Sequence, residues 1–229
     1  MKPYQLSTIA RICGLGTALA IASPEFARAD FFAGQQSLPC GALCDQSVTF
    51  SPANSGTTVI GDTNPAPVYD VFIDSLQGLT LHASGSTVDT GVGGPGFSSI
   101  VIRPASPYAW TYIEFTMHPM LSVTPPQSGL TLTIFDQNNL THVFSANFPW
   151  ESNQGDNQHY FAQATNGDLI TKLQIDYVDP TCTSDCTPNT IQDIHNIDVA
   201  STTIPEPASM ALFGVGLLGL AAALRRRTV

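Results

Sequence analysis

Short runs of β-branched and aromatic residues, separated by turn-forming residues, restrict the fold of this chain more than any other sequence feature. Several runs alternate with period two; in Trp110–Met117, the residues Ile113, Phe115 and Met117 share one face. The alternation is typical of strands with one buried face, so we predict an all-β fold, an antiparallel, jelly-roll-like β-sandwich. The predicted strands are Ser47–Phe50, Thr57–Ile60, Val68–Ile73, Leu79–His82, Ser98–Ile102, Trp110–Met117, Leu130–Phe135, Thr141–Asn147, Gln158–Ala164, Leu169–Val178 and Ile194–Val199.

Turn-forming sequences lie where hairpins between these strands require them. Asp136-Gln137-Asn138-Asn139 separates two predicted strands, and Asn166-Gly167-Asp168 separates two more. Asn and Gly tolerate the positive φ angles of tight turns. Both segments are therefore predicted to be hairpin turns.

The predicted β domain, residues 30–203, is strongly acidic. It contains two basic residues, Arg103 and Lys172, and sixteen of the eighteen Asp and Glu residues of the chain, giving a formal net charge of −14. Such a surface repels phosphate backbones, which excludes nucleic acid as a partner. It could attract Ca²⁺ through oxygen ligands, so calcium stays open while no other cofactor is predicted.

The N-terminus, residues 1–29, has the pattern of a signal peptide. A basic segment precedes the apolar run Ile12–Ala22, whose eleven residues are too few to span a bilayer. Ala27 and Ala29 then form a small-x-small cleavage site. We predict export, with cleavage by signal peptidase before Asp30.

The last 26 residues, 204–229, combine a Pro-Glu-Pro tripeptide, an uncharged stretch and an arginine cluster, in that order. An uncharged stretch of seventeen residues is long enough for a short transmembrane helix, and arginines after it are expected to stay cytoplasmic. The prolines before it keep the junction extended. The three features are Pro205, Glu206 and Pro207; Ala208–Leu224; and Arg225, Arg226 and Arg227.

This C-terminus resembles the PEP-CTERM sorting signal of exported proteins in Gram-negative bacteria that make extracellular polysaccharide. The resemblance implies recognition by an exosortase, a membrane-embedded transpeptidase that cleaves near the Pro-Glu-Pro. An ordinary tail anchor would need only the helix and the arginines, and would leave the Pro-Glu-Pro unexplained. The segment from Thr57 to Val199 also resembles, loosely, β-sandwich domains found ahead of such tails, which have no known general activity.

Four cysteines remain after the leader, in two pairs with the spacing Cys-x₃-Cys. An even number of cysteines in an exported domain predicts disulfides, because the compartment is oxidising. Local pairing is favoured, although pairing between the two groups stays open, and the compartment disfavours a Cys₄ zinc site. The four are Cys40, Cys44, Cys182 and Cys186.

No catalytic arrangement is visible in the sequence. Glu114 and Glu151 are the only glutamates of the predicted domain, and Gly91–Gly96 matches a dinucleotide fingerprint only formally, because a strand rather than a helix follows it. The five histidines are scattered singly and match no metalloprotease motif, so neither an enzyme nor a metal site is predicted. A secreted glycoside hydrolase remains the enzymatic alternative. The histidines are His82, His118, His142, His159 and His195.

Aromatic side chains supply a second functional alternative. Trp110, Tyr112 and Trp150 could form an exposed sugar-stacking face, and Tyr112 lies on the polar side of its strand, but burial in the core is the favoured interpretation for both tryptophans. The carbohydrate-binding alternative therefore depends on their exposure.

The sequence as a whole predicts a non-enzymatic surface or extracellular-matrix protein with a structural or adhesive role. Its predicted partners are signal peptidase, an exosortase, the inner membrane before processing, and extracellular polysaccharide. The final address is the cell surface or matrix.

Overall fold

The computed structural model describes residues 31–36, 43–91, 94–119, 128–148, 158–178 and 191–204 of the 229-residue chain. The predicted signal peptide, 1–29, and the predicted transmembrane helix, 208–224, lie outside these residues. Within the described ranges, no helix is long and apolar enough to cross a membrane.

Thirteen strands make up the described residues, joined by turns and short loops. Eleven of them overlap the strands predicted from the sequence, whereas β1 and β6 were not predicted. The strands are Phe31–Gln36 (β1), Gln46–Gly56 (β2), Thr58–Asn64 (β3), Asp70–Ser75 (β4), Leu81–Gly85 (β5), Thr87–Asp89 (β6), Ser99–Pro104 (β7), Tyr108–Pro119 (β8), Ser128–Asp136 (β9), Thr141–Phe148 (β10), Gln158–Ala164 (β11), Ile170–Val178 (β12) and Ile191–Thr203 (β13).

The predicted hairpin turn between β9 and β10 is confirmed. The second predicted segment, Asn166-Gly167-Asp168, forms a turn but not a hairpin, because β11 pairs with β1 and β8, and β12 pairs with β7, β8 and β9, rather than with each other. Asn139 has φ 63° in the turn between β9 and β10, and Asn166 and Gly167 have φ 56° and 86° between β11 and β12. The Asp136 carboxylate accepts hydrogen bonds from the backbone N–H groups of Asn138 and Leu140, both at 2.8 Å. This carboxylate therefore stabilises the first turn.

All thirteen strands belong to one antiparallel sheet in the order β1-β11-β8-β13-β6-β5-β2-β3-β4-β7-β12-β9-β10. Two additional pairings close it: β8 contacts β12 at Trp110 and Ile170, and β13 contacts β2 at Asp198 and Val199. The closed ring runs β8, β13, β2, β3, β4, β7, β12 and back to β8.

The all-β, antiparallel part of the prediction is confirmed, but a two-sheet sandwich or jelly roll is not shown. The reason lies in β8 and β13, with 12 and 13 residues. Along one edge, β8 pairs first with β12 and then with β11, and β13 pairs first with β6 and then with β2. Because each strand changes partner, the hydrogen-bonded ladder continues around the molecule instead of dividing into two sheets.

The core fills the inside of this sheet with the side chains that the alternation assigned to it. Ile113, Phe115 and Met117 of β8 are fully buried, as are Leu130, Leu132 and Ile134 of β9. The largest fully buried side chain among the described residues is that of Trp110, whose Nε1–H donates to the Tyr69 hydroxyl at 2.9 Å. Tyr69 in turn stacks on Tyr108 with ring centroids 4.2 Å apart. Trp110 therefore fills the core at the residue where β8 meets β12.

Replacing Trp110 by Ala should lower the unfolding free energy by about 3–5 kcal/mol, because a large aromatic group leaves a cavity. Trp110→Phe should cost less, because it keeps an aromatic ring and removes only one of the two side-chain hydrogen bonds of the Tyr69 hydroxyl, which also bonds to Ser201. Denaturant unfolding of the exported protein measures both. The exposed neighbour Thr111, replaced by Val, should change stability by less than about 0.5 kcal/mol. A Trp110→Ala variant as stable as Thr111→Val would contradict the buried position of Trp110 at the ring closure.

Candidate functional site

Three chemically reactive side chains meet where β8 pairs with β13. The antiparallel register places His118 directly opposite Asp193, and His195 follows two residues later on the same face of β13. One possible ligand atom of each residue lies within 4.8 Å of those of the other two. We call these three residues the His-Asp-His cluster.

Two register shifts in the β8–β13 pairing flank the cluster. One lies between Ile191 and Asp193, and the other between His195 and Asp198. At the second shift Asn196 has φ 50°, so β13 carries one extra residue there, and Ile194 and Ile197 are both fully buried. The shifts therefore direct Asp193 and His195 to the outer face while the residues around them stay in the core.

Each imidazole of the cluster donates its Nδ1–H to a different oxygen of Asp193. The distance is 3.1 Å from His118 to Oδ2 and 2.7 Å from His195 to Oδ1. The side chain of Asp193 is 13 % exposed, whereas those of His118 and His195 are 30 % and 15 % exposed. The Asp193 carboxylate is thus hydrogen-bonded to both imidazoles, and the imidazoles are partly exposed to solvent.

The electrostatics of Asp193 favour the ionised carboxylate. Burial pushes its pKa upward, but the hydrogen bonds from His195 and His118, together with their charges, outweigh burial and hold the pKa below its usual value.

The permanent cations among the described residues, Arg103 on β7 and Lys172 on β12, contact other groups than Asp193. Arg103 donates to Asp74 at 2.9 Å, and the Lys172 ammonium lies 3.4 Å from the centre of the Phe135 ring.

Further polar side chains surround the cluster on the same face of the sheet. Thr116 lies opposite both His195 and His159, and its hydroxyl is 3.2 Å from Nδ1 of His159. Burial, followed by the charge of His195, lowers the pKa of His159.

On the other side of the cluster, β6 and β5 place Asp89 opposite Asp193 and His82 opposite Asp89. Four of the five histidines thus share one sheet face.

A cleft of about 330 Å³ adjoins this face at β5 and β6. His82, Asp89 and Thr87 line it, together with small polar residues of β2 and β5. Because Asp89 is the cross-strand neighbour of Asp193, the cleft begins one strand away from the cluster. A small polar ligand in the cleft would therefore lie next to the His-Asp-His cluster.

The aromatic residues predicted as a sugar platform are not exposed. Trp110 is fully buried, and Tyr112 is 4 % exposed. The Tyr112 hydroxyl donates to Oε1 of Gln36 at 3.0 Å, and the amide of Gln36 donates to the carboxylate of Glu114, which is 3 % exposed. Gln36 lies at the end of β1, a strand that the sequence patterns did not reveal, and the Phe161 ring of β11 stacks on the Tyr112 ring with centroids 5.9 Å apart. Trp150 and Glu151 lie outside the described residues.

The remaining predicted site residues lie largely beyond the described ranges. Cys44 is disulfide-bonded, whereas Cys40, Cys182 and Cys186 lie outside, so the predicted pairing stays a prediction. The signal-cleavage residues and the sorting residues also lie outside. They are Ala27, Ala29 and Asp30; and Pro205, Glu206, Pro207, Arg225, Arg226 and Arg227.

The His-Asp-His cluster was missed in the sequence because its members are far apart in the chain. His118 and Asp193 are separated by 75 residues, and only the β8–β13 register brings them together. The available local signal was Asp193-x-His195, since residues two apart in a strand share a face. That signal alone does not identify a third residue.

One family model matches the chain: the PEP-CTERM protein-sorting motif, at residues 203–227. The motif indicates an exported protein that is targeted to an exosortase. Neither a curated protein nor a solved structure shows a significant match.

The burial of Tyr112 can be tested by its titration. Burial raises the pKa of Tyr112 to about 12, even though the hydrogen bond to Gln36 acts in the opposite direction. An ultraviolet difference titration of the wild-type protein against Tyr112→Phe should therefore show the missing tyrosine ionising near pH 12. Because the unfolded chain ionises this group near pH 10, stability that Tyr112 contributes below pH 10 should be lost as pH rises toward 12. A transition near pH 10 would instead indicate an exposed ring, as a sugar platform requires.

Proposed function

We propose that this chain is a surface or extracellular-matrix protein with a structural or adhesive role, delivered by exosortase processing and associated with extracellular polysaccharide. It is proposed to act without catalysis. The observation that supports the proposal is the position of the sorting motif, which starts at residue 203, at the end of the last described strand.

The boundary between the folded part and the motif is well defined. Thr203 pairs with Tyr108 at the end of the β8–β13 ladder, and the N–H of Ile204 donates to the carbonyl of Pro107 at 2.8 Å. All described strands therefore precede the Pro-Glu-Pro. Cleavage beyond that tripeptide would remove the tail without removing a strand, so the processed product would keep its fold.

The charge of the domain restricts how it could attach to a polysaccharide. A formal charge of −14 over residues 30–203 repels an anionic polymer, so attachment to such a polymer would need bridging divalent cations. A neutral polymer would instead be held by hydrogen bonds to the polar outer face. We propose attachment through this face rather than through stacking aromatics, because Trp110 and Tyr112 are buried.

Replacing Glu206 by Ala should leave an unprocessed precursor that stays with the membrane fraction, because the substitution disrupts the Pro-Glu-Pro. Immunoblotting of membrane, surface and extracellular-polysaccharide fractions from the producing bacterium measures both size and location. The wild-type protein should be shorter and should occur in the surface or polysaccharide fraction.

The matched control is Asp62→Ala, which removes an exposed carboxylate of β3 and leaves the motif intact. It should be processed like the wild type. Normal processing of Glu206→Ala would defeat the sorting part of the proposal. A processed wild-type protein found free in the medium, with none in the surface or polysaccharide fraction, would defeat the matrix part.

A further inference from the structure

We propose that the His-Asp-His cluster binds one divalent transition-metal ion of the zinc, copper or nickel class, with His118, Asp193 and His195 as its protein ligands. This inference goes beyond the proposed function and does not depend on processing of the tail.

The spacing of the cluster suits one ion. Ligand atoms that each lie about 2 Å from a common ion are about 3–4 Å from one another. The imidazole nitrogens of His118 and His195 lie 3.1 and 2.7 Å from the Asp193 oxygens, and one possible ligand atom of each residue lies within 4.8 Å of the others. Only a small rearrangement of side chains is therefore needed to place all three around an ion.

The strands that carry the cluster are packed against the core. Met117 and Ile194, which alternate with the cluster residues on β8 and β13, are fully buried in the core. The two register shifts fix the direction of Asp193 and His195, and the hydrogen bonds to Asp193 already orient both imidazoles. Sites built on strands keep their ligand geometry better than sites on loops.

The charges around the cluster favour a cation. Asp193 is nearly buried, and in the part of the chain that the structure describes both permanent cations are engaged elsewhere, on Asp74 and on the Phe135 ring. Its hydrogen-bond partners in the cluster are two imidazoles, which can carry a metal ion in place of a proton. The domain charge of −14 adds a long-range attraction for cations.

The donor atoms decide which class of ion is expected. Two imidazoles with one carboxylate suit zinc, copper or nickel, whereas calcium and magnesium prefer oxygen ligands. The cluster therefore differs in its donor atoms from a Ca²⁺ site made of oxygen ligands, which the acidic composition of the domain left open. Three protein ligands leave at least one coordination position open, and the 30 % exposed side chain of His118 shows that solvent reaches this edge.

The test is calorimetric titration of the full-length chain, purified in mild detergent under oxidising conditions and freed of metal with a chelator. Zn²⁺ should bind with a stoichiometry of one, and excess Ca²⁺ should not displace it. His118→Gln and His195→Gln should each weaken Zn²⁺ binding by at least about 100-fold, since even outer-shell partners of metal ligands are worth about 10–100-fold.

The chain offers a matched control in His142→Gln. His142 also contacts a carboxylate, Asp136, at 3.4 Å, and its side chain is 25 % exposed, but among the described residues it belongs to no such cluster. This variant should bind Zn²⁺ like the wild type. Far-ultraviolet circular dichroism checks that every variant keeps its strands.

A second measurement leaves the three cluster residues unchanged, so it remains informative even if His118→Gln or His195→Gln does not fold. Cu²⁺ bound at one equivalent to His142→Gln should give an electron paramagnetic resonance spectrum with hyperfine splitting from two imidazole nitrogens. A spectrum with oxygen ligands only, no Zn²⁺ binding by the wild type, or unchanged binding by folded His118→Gln and His195→Gln would overturn the proposal. The cluster would then be a hydrogen-bonded element of the fold alone.

Discussion

The antiparallel pairing of β8 with β13 is the interaction on which the rest of this structure depends. These long strands run side by side from Tyr108 opposite Thr203 to Pro119 opposite Ile191. Each changes partner along its outer edge, and these changes close the sheet around a core that contains Trp110. The same pairing carries the His-Asp-His cluster on its outer face. Fold and candidate site are therefore consequences of one register.

The sequence predicted what local physics determines. Alternation assigned Ile113, Phe115 and Met117 of β8 to the core correctly, and Asn-containing segments marked two turns, of which the one between β9 and β10 is a hairpin, because side-chain period and positive φ are local properties. It did not predict closure of the sheet, since pairing between distant strands leaves no local pattern. β6 has only three residues, and β1 lies beside the predicted leader, so neither stood out. Nor did the sequence predict the contacts that Gln36 and Phe161 make with Tyr112, so this residue, on the polar face of β8, was considered as an exposed ring.

The functional predictions divide in the same way. The sorting motif is a continuous segment, and sequence reasoning placed it at 204–229, where the family model matches 203–227. The His-Asp-His cluster is discontinuous, and its histidines gave no signal until the register brought His118 beside Asp193. The sorting signal can therefore be identified from a continuous stretch of sequence, whereas the His-Asp-His cluster forms only when the sheet closes. An acidic domain that holds a transition metal at its surface would carry a specific cation site into the matrix in which we propose it resides.

The most direct test is a crystal structure of the exported protein grown with Zn²⁺, with anomalous diffraction measured at the zinc edge. The account predicts one anomalous peak about 2 Å from nitrogens of His118 and His195 and from an oxygen of Asp193, with β8 and β13 in the register described. A peak bound elsewhere, or no peak beside these residues, would contradict the proposed site. A different β8–β13 register would contradict the interaction from which the whole account is built.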